Sequence, residues 1–470
     1  MIVEDSCMKA YRDVLTIGED SGPAVIVDFG ERWRLLFWTK RWGGASQWDL
    51  GDVWVTNEWL ETNSIEDRRW FEPMMDREAR YSRVDILEGG DARAVVRWHY
   101  ACCNPEYKIF NGNTFADEYY TVYPDGIAVR KLVAWPGNES DFGGNSNFWE
   151  TGEFILSLPK ADLSRKEMEK WLEENLETER VFTFHNLEGE EISYSWPMPS
   201  PRRALCSEHP EIADWDAYVL TLHLKNRPDP FVVVPHNKAL FPYRPSEWPP
   251  LFMHSPDCRK DHPQFLLWDG KTNLFCSYGF CYTPFERPPR PTVLLMLTGA
   301  TEDSSSAHMA KLASSWLNPA HIRIEDFGRR NDAALKKRWG NPANILYIGF
   351  KYSERAYTFN GEMAGKRLKF TMIPSLPYAK KPVQQMFREM ISQGLTFKEI
   401  SERVTEKFGR VEVVNPIFKI ENWCSNTVNV KVNGESLNPD EYKWQTSQGN
   451  LIIWMNMNIK EDTTFEITPQ

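Results

Sequence analysis

Short β-type segments, with no helix between them, follow one another through the first 160 residues. They include PAVIVDFG, RWRLLFWT, RYSRVDILE, ARAVVRWHY, DEYYTVY and IAVRKLVAW, which are rich in β-branched and aromatic residues and are separated by Gly, Pro, Asn and Asp. In YPDGI, Pro124, Asp125 and Gly126 have the residue types of a tight turn between two strands. Strands that recur about every ten residues favour a large antiparallel sandwich or barrel over alternating βαβ units.

Helical patterns appear only later in the chain. The segment LSRKEMEKWLEENLETE has Ser164 and Glu167 in the arrangement of a capping box, and SSSAHMAKLASSWLNP is predicted to be a short helix that ends at Asn318. Two further helices are predicted in KPVQQMFREMISQG and TFKEISERVTEKFG, the second of which begins with a capping box of Thr396 and Glu399. The helices are therefore expected at the periphery of a mainly β fold.

The chain is long enough for more than one hydrophobic core. From Val411 onward, short strands and the hairpin signal VNG indicate a separate small β module. We therefore predict a large β-sandwich domain over 1–350 with a sub-boundary near 160–180, a helical connector over 351–410 and a C-terminal β module over 411–470.

Charge and hydropathy exclude several classes of protein. The net charge of −11 argues against a general nucleic-acid binder, which needs a basic surface. No apolar run is long enough for a transmembrane helix, and the acidic start of the chain lacks the apolar region of a signal peptide. The sequence thus predicts a soluble protein, either cytoplasmic or exported with its leader removed, of unknown oligomeric state.

No familiar cofactor or metal motif is present. The sequence lacks GxGxxG after a strand, HExxH and GxSxG, and its eight cysteines include no CxxC pair. The segment 254–262 (HSPDCRKDH) contains metal-ligand residue types, but their spacing matches no standard zinc module, so we interpret it as a polar loop. We predict no cofactor and no catalytic metal, and leave a structural divalent cation such as Ca²⁺ open.

Alternation along two strands separates a core side from a chemical side. In RAVVRWHY, the core set is Ala94, Val96, Trp98 and Tyr100, and the opposite set is Arg93, Val95, Arg97 and His99. In DEYYTVY, one side carries Asp117, Tyr119, Thr121 and Tyr123, and the other carries Glu118, Tyr120 and Val122. If the strands pair, Arg97 and His99 face Asp117 and Tyr119, which are residue types for proton transfer. The plainer interpretation is a solvated face with cross-strand charge pairs.

A second candidate region runs from Gly51 to Val84. It is irregular and rich in tryptophan and charge, which is typical of a binding-cleft wall, and the flat rings of Trp54, Trp59 and Trp70 suit stacking on sugars. Glu72 and Asp76 would be a general acid and a base or nucleophile if they face each other, as in glycoside hydrolysis.

The resemblance that these features carry is to large β-supersandwich proteins of carbohydrate metabolism, similar to galactose-mutarotase-like domains. It depends on the antiparallel strands, the hairpin DEYYTVYPDGIAVRKLV, the 20 Trp, 17 Tyr and 26 Phe, and the small C-terminal module, and it covers the architecture of residues 20–350. The resemblance implies a mainly β fold, namely a large antiparallel β-supersandwich with a few peripheral helices, and a carbohydrate-active protein.

The first functional hypothesis is a polysaccharide lyase that cleaves an acidic poly- or oligosaccharide by β-elimination. His99 would remove the proton and Tyr119 would protonate the leaving oxygen, or both roles would be shared with Tyr120, and Arg97 and Arg80 would bind the uronate carboxylate. Trp54, Trp59 and Trp70 would stack on sugar rings.

Three alternatives stay open at this stage. One is a glycoside hydrolase that uses Glu72 and Asp76, with Asp117 or Glu118 in reserve. Another is a non-catalytic glycan-binding protein, in which loss of His99 or Tyr119 would weaken binding little. The third is a mutarotase-like epimerase, which needs a small closed pocket rather than a long cleft.

Overall fold

The structure is a computed structural model. It describes residues 8–17, 20–30, 33–40, 42–44, 46–51, 53–57, 60–64, 69–135, 149–151, 154–157, 170–171, 173–195, 208–235, 240–242, 246–247, 273–277, 280–282, 292–326, 347–360, 367–423 and 425–469. The polar loop predicted at 254–262 lies outside these residues, as does the predicted capping box of Ser164 and Glu167. Within the described residues, no helix is long and apolar enough to cross a membrane.

The chain is mainly β, as the sequence predicts, and two large antiparallel sheets dominate it. The first sheet has eight strands in the spatial order β1 (Lys9–Ile17), β2 (Asp20–Asp28), β3 (Arg34–Trp38), β4 (Ser46–Asp49), β5 (Trp54–Asn57), β13 (Phe154–Ser157), β20 (Asn273–Ser277) and β19 (Ser246–Glu247). The second has nine in the order β15 (Glu191–Tyr194), β14 (Phe182–His185), β16 (Ala217–Leu222), β17 (Asp229–Pro235), β22 (Thr292–Thr301), β11 (Ile127–Trp135), β10 (Phe115–Val122), β9 (Ala94–Ala101) and β8 (Arg83–Glu88).

The two large sheets share one hydrophobic core. Its buried side chains come from both of them and include Val27, Leu36, Val55, Val96, Leu132 and Leu220. A smaller five-stranded sheet consists of β18 (Leu240–Pro242), β21 (Phe280–Tyr282), β12 (Trp149–Thr151), β6 (Glu61–Ser64) and β7 (Arg69–Phe71). A sandwich with this shared core leaves the far side of each large sheet available for other contacts.

A tight turn joins β10 to β11 at the predicted residues. Asp125 accepts a hydrogen bond from the backbone N–H of Ile127 at 3.2 Å, and Gly126 has φ 78°, in the left-handed region. A Cβ at Gly126 would lie 2.4 Å from the Trp33 ring, so this position requires glycine for both conformation and space. The turn fixes the register of the hairpin that carries the candidate residues Asp117, Glu118, Tyr119 and Tyr120.

The C-terminal module is a second sandwich of two five-stranded sheets. One sheet contains β23 (His321–Asp326), β26 (Leu368–Ile373), β34 (Thr463–Thr468), β29 (Asn429–Val432) and β30 (Glu435–Ser436). The other contains β24 (Tyr347–Lys351), β25 (Ala356–Asn360), β28 (Ile417–Ile420), β32 (Asn450–Met455) and β31 (Tyr442–Ser447), and β27 (Val413–Val414) pairs with β33 (Asn458–Ile459). Strands that precede residue 411 thus belong to the C-terminal module. They include segments that the sequence analysis assigns to the 1–350 domain and to the 351–410 connector.

Three helices are fully described. Helix α1 (Ser306–Leu317) packs on the nine-stranded sheet through Met309, Leu312 and Trp316, and Asn318 ends it as predicted. Helices α2 (Lys381–Ser392) and α3 (Phe397–Phe408) form the predicted pair. The capping box of Thr396 and Glu399 is present in both directions. Of the helix predicted near residues 163–179, the structure describes helical backbone at 170–171 and 173–175.

Buried polar contacts connect the two sandwiches. Arg93 binds Glu88 of its own domain and Glu354 of the C-terminal module, the latter with an Nη1–Oε2 distance of 3.0 Å. Arg355 forms an ion pair with Asp125. The Gln445 side-chain oxygen accepts the backbone N–H of Arg93 at 2.9 Å. Because these groups are largely removed from water, the contacts hold the C-terminal module against the main sandwich.

Candidate functional site

The strands β9 and β10 pair in the register that the sequence analysis requires. His99 lies opposite Asp117, and Arg97 lies opposite Tyr119. The predicted core set of Ala94, Val96, Trp98 and Tyr100 is completely buried in the sandwich. Alternation therefore places Arg97, His99, Asp117 and Tyr119 together on the other side of the sheet, and this part of the prediction is confirmed.

Two cross-strand rows define the outer face of β8–β11. Each row runs across the four strands from β8 to β11. The first row consists of Arg83, His99, Asp117 and Val133, and the second consists of Asp85, Arg97, Tyr119 and Lys131. Side chains in one row are direct neighbours, and the two rows are separated by about 7 Å along the strands. We call these eight residues, together with Phe115 and Trp135, the outer face.

Asp117 is the centre of the outer face. Its Oδ1 atom accepts a hydrogen bond from Arg97 Nε at 2.8 Å and lies 3.1 Å from His99 Nδ1, and its Oδ2 atom lies 3.4 Å from Trp135 Nε1. Burial raises the pKa of Asp117, but the hydrogen bonds and charges of His99 and Arg97 outweigh it, so the pKa is lowered from its ordinary value. Asp117 is therefore an ionised carboxylate at neutral pH.

The contact with Asp117 also sets the tautomer of His99. A carboxylate only accepts hydrogen bonds, so Nδ1 carries the hydrogen of a neutral ring and Nε2 keeps its lone pair. The His99 ring stacks on Phe115 with a centroid distance of 5.5 Å and an interplanar angle of 10°. The imidazole is thus oriented by one carboxylate and one aromatic ring, while 34% of its side-chain surface stays accessible.

Aromatic and apolar groups lie beside these charged side chains. Trp135 is 45% exposed and follows Val133 on the same side of β11, and Val293 of β22, opposite Val133, is 50% exposed. Lys131 Nζ lies 5.6 Å from the centre of the Tyr119 ring. The outer face therefore offers a flat indole ring, cations and hydrogen-bonding groups within a small area.

The other side of the same strands carries a buried polar group, which we call the core network. It consists of Tyr100, Glu118, Tyr120 and Arg130, each less than 2% exposed. Arg130 donates to both carboxylate oxygens of Glu118, at 2.6 and 2.7 Å, and the hydroxyls of Tyr100 and Tyr120 donate to the same carboxylate. Glu118 and Tyr120 are thus separated by the sheet from Asp117 and Tyr119, and we leave them out of the proposed site.

Glu72 and Asp76 do not form an accessible pair of carboxylates. Glu72 is completely buried where its backbone bridges Cys103, and Asp76 is 1% exposed. The Asp76 carboxylate accepts the backbone N–H groups of Arg80 and Tyr81, both at 2.7 Å, and so organises its own loop. Burial raises the Asp76 pKa although these hydrogen bonds oppose the shift. A sugar cannot reach either carboxylate in this conformation.

The remaining predicted residues lie in different places. Arg80 stacks on the Tyr107 ring at 3.7 Å and pairs with Glu78, and among the described contacts none joins it to the outer face. Trp54 is 5% exposed in the sandwich core and donates to the Gly51 carbonyl at 3.2 Å. Trp59 lies outside the described residues, and of Trp70 only the backbone, in β7, is described. Because Trp54 is buried in the core, its ring cannot stack on a sugar, and that prediction is wrong; the sugar-stacking roles of Trp59 and Trp70 stay predictions.

Sequence reasoning missed Lys131, Trp135 and the carboxylate-centred arrangement. The signal was present, because the turn at Pro124–Gly126 sets the register of β11 against β10 and alternation then places Lys131 and Trp135 beside Tyr119 and Phe115. Among the described residues, no group of three or more His, Cys, Asp or Glu side chains is arranged to hold a metal ion. No protein-family model and no curated protein matches this chain.

Proposed function

We propose that the outer face binds an acidic poly- or oligosaccharide and cleaves it by β-elimination. The observation that carries the proposal is the shared Asp117 oxygen, which holds a cationic Arg97 and an oriented His99 on one accessible face. A base, an acid and a cation close together are what the elimination of an alkoxide from a uronate requires.

The reaction assigns one step to each group. His99 Nε2 takes the proton from C5 of the uronate, and the electrons of that C–H bond form the C4=C5 double bond. The C4–O bond breaks, and the Tyr119 hydroxyl gives its proton to the leaving oxygen. Transfer of a proton from the His99 imidazolium to the Tyr119 phenolate, through water, returns both groups to their starting states.

Positive charge near the site stabilises the carboxylate of the substrate as C5 becomes anionic. Asp117 occupies Nε and Nη2 of Arg97 among the described contacts, so the Nη1 donors are placed for a ligand. Lys131 adds a second cation next to Tyr119. A uronate carboxylate would meet a charge-assisted hydrogen bond from either side chain.

Trp135 supports a saccharide substrate in particular. An exposed indole presents a flat apolar surface to the C–H face of a sugar, while its N–H lies at the Asp117 carboxylate. The glycoside hydrolase alternative lacks comparable support, because Glu72, Asp76 and Glu118 are buried and Asp117 is committed to Arg97 and His99.

The proposal is tested by incubating the full chain with a panel of polyuronates and of neutral glycans. Ultraviolet absorbance reports the new C=C bond, and a reducing-end assay reports all bond cleavage. We expect absorbance and reducing ends to rise together on at least one polyuronate. His99→Gln and Tyr119→Phe should each lower kcat by roughly 100-fold or more, the usual range for loss of a general base or acid.

A matched control is available on another surface. His209 Nδ1 lies 3.2 Å from Glu211 Oε1, so this pair resembles His99 and Asp117 in chemistry, and its histidine, 33% exposed, resembles His99 in exposure. His209→Gln should therefore leave activity unchanged. Reducing ends without absorbance would replace the lyase by a hydrolase, and polyuronate binding without turnover would leave a glycan-binding protein. No binding and no turnover would refute the proposal.

A further inference from the structure

A cleft of ≈ 520 Å³ lies where the main sandwich meets the C-terminal module. Three structures form its walls: the turn between β10 and β11, the segment from β22 into helix α1, and loops of the C-terminal module. The volume falls within the roughly 300–1,000 Å³ of small-molecule sites, which often lie at domain interfaces. None of its lining residues belongs to the outer face, so this cleft is a separate candidate site.

The floor of the cleft is apolar and aromatic. Its lining includes buried side chains from both sandwiches and from α1, namely Trp33, Ile127, Ala300, Leu312, Val414 and Trp454. Such a floor favours a ligand that has an apolar surface to bury.

The rim of the cleft is polar and rich in acceptors. Glu302, Asp303 and Asp440 contribute carboxylates from exposed positions, and Lys443 and His308 are the basic side chains of the lining. The hydrogen bonds from Ser305 hold the pKa of Asp303 below its usual value, so it is ionised at neutral pH. The rim thus has an excess of negative charge, which disfavours an anionic ligand.

Two amide side chains complete the rim. Asn415 lines the cleft and donates from Nδ2 to Asp125 Oδ2 at 3.2 Å, and Asn456 is exposed at the rim. Carboxylates accept hydrogen bonds and amides both donate and accept, so together they match the hydroxyl groups of a sugar.

The walls are fixed to each other before any ligand binds. Asp125, which lines the cleft, pairs with Arg355 of the C-terminal module, and Gln445 of the module accepts the backbone N–H of Arg93. Both side chains of the Asp125–Arg355 pair are less than 10% exposed. Because the two sandwiches are held in this way, little ordering is required on binding.

From these observations we propose that the cleft binds a small neutral saccharide of one or two rings. The apolar floor accepts the C–H face of the sugar, and the rim accepts its hydroxyl hydrogens. The excess of carboxylates disfavours a uronate, so this ligand differs from the substrate proposed for the outer face. The inference does not depend on the proposed lyase activity.

Calorimetric titration of the full chain tests the assignment. The probes are galactose, glucose, mannose and cellobiose, with galacturonate as the anionic counterpart of galactose. We expect at least one neutral sugar to bind roughly tenfold more tightly than its uronate counterpart. The uronate would lose about one good hydrogen bond, and the negative rim would repel its carboxylate.

Three variants locate the binding. Asn456→Trp places a large ring at the exposed rim and should weaken sugar binding by roughly tenfold or more. Glu435→Trp, at an exposed position of the edge strand β30, adds the same ring outside the cleft and should leave the affinity unchanged. His99→Gln should also leave it unchanged, which separates this site from the outer face.

Several results would overturn the inference. Absence of binding by every neutral sugar in the panel would do so, and so would tighter binding of galacturonate than of galactose. Unchanged affinity in Asn456→Trp, with the variant folded as judged by its circular dichroism spectrum and melting temperature, would place the sugar elsewhere. Failure of the lyase assay has no bearing on these outcomes, since that assay reads the outer face.

Discussion

Arg130 and Glu118 form a bidentate ion pair inside the main sandwich, with nitrogen–oxygen distances of 2.6 and 2.7 Å. The pair lies on adjacent strands directly behind the outer face, since Glu118 is flanked by Asp117 and Tyr119 and Arg130 precedes Lys131. Burial lowers the pKa of Arg130, but the adjacent Glu118 charge outweighs it and the pKa is raised. Because both charges are buried in the core network, water cannot take the place of either partner when the other is removed.

Removal of one partner of this pair should be strongly destabilising. Arg130→Met leaves the Glu118 carboxylate buried with only the tyrosine hydroxyls as donors, and we expect the free energy of unfolding to fall by about 3–5 kcal/mol. The double variant Glu118→Gln/Arg130→Met removes both charges and should be more stable than Arg130→Met alone. Urea unfolding of the four proteins in this cycle measures the coupling. If the two single substitutions lower the free energy of unfolding additively in the double variant, neither charge depends on the other, and the prediction is wrong.

The turn between β10 and β11 provides a paired test of glycine. Gly126 and Gly112 have similar positive φ values, 78° and 80°, but a Cβ at Gly126 meets the Trp33 ring whereas nothing lies within 4 Å of a Cβ at Gly112. Gly112→Ala should therefore cost about 1 kcal/mol for backbone conformation alone. Gly126→Ala should cost a further 1–3 kcal/mol or so, because Trp33 has to move. Equal melting temperatures for the two variants would show that the ring adapts without cost.

Asp117→Asn should separate catalysis from stability. The substitution keeps the shape of the side chain but removes the charge that holds Arg97 and permits either His99 tautomer. We expect kcat on the polyuronate substrate to fall by roughly 100-fold or more, with a change in unfolding free energy of only about 1 kcal/mol. Glu211→Gln, in the second His–carboxylate pair, is the matched control and should leave kcat unchanged. A parallel loss of stability and activity would indicate a structural role for Asp117.

His185 should make the main sandwich sensitive to mild acid. It is 1% exposed, and burial lowers its pKa to about 4 although the Asn186 carbonyl accepts its Nδ1 hydrogen. In the unfolded chain its pKa is about 6.5, so between these values the unfolded state binds the extra proton. The stabilising contribution of the neutral ring is complete above pH 6.5 and is lost as the pH falls toward 4.

The expected size of this effect is about 2 kcal/mol at pH 5 relative to pH 7. His185→Gln cannot take up a proton, so the difference in unfolding free energy between the two pH values should be smaller in this variant by that amount. Urea unfolding at both pH values checks the expectation. Equal pH dependence in the variant and the parent chain would mean that His185 is not responsible.

The sequence predicted the elements around the outer face well because alternation is a local property. Trp98 and His99 must lie on opposite sides of one strand, and the Pro124–Gly126 turn then fixes which residues of β11 accompany them. Choosing residues by chemical type was less successful. Glu118 and Tyr120 have the right functional groups. Because each lies one residue away from Asp117 or Tyr119 along the strand, their side chains point into the core instead.

Contacts between distant segments could not be predicted from a single sequence. β25 and β26 look like parts of the preceding domain or of a connector, and only their pairing with β28 and β34 assigns them to the C-terminal sandwich. The same limit applies to the interface cleft, which brings together Trp33, Asp125, Asp303 and Trp454 from segments that are widely separated in the chain. Local propensity carries no information about such neighbours.

The position of β34 has a consequence for the order of events during synthesis. This last strand, Thr463–Thr468, lies between β26 and β29 in the interior of its sheet. Until the ribosome releases it, β26 and β29 each have an unpaired edge where β34 belongs, and the phenylalanines at 370 and 418 lack their contacts with Phe465. The C-terminal sandwich can therefore close only after residues 463–468 have left the ribosome, whereas every described strand of the main sandwich has emerged well before then.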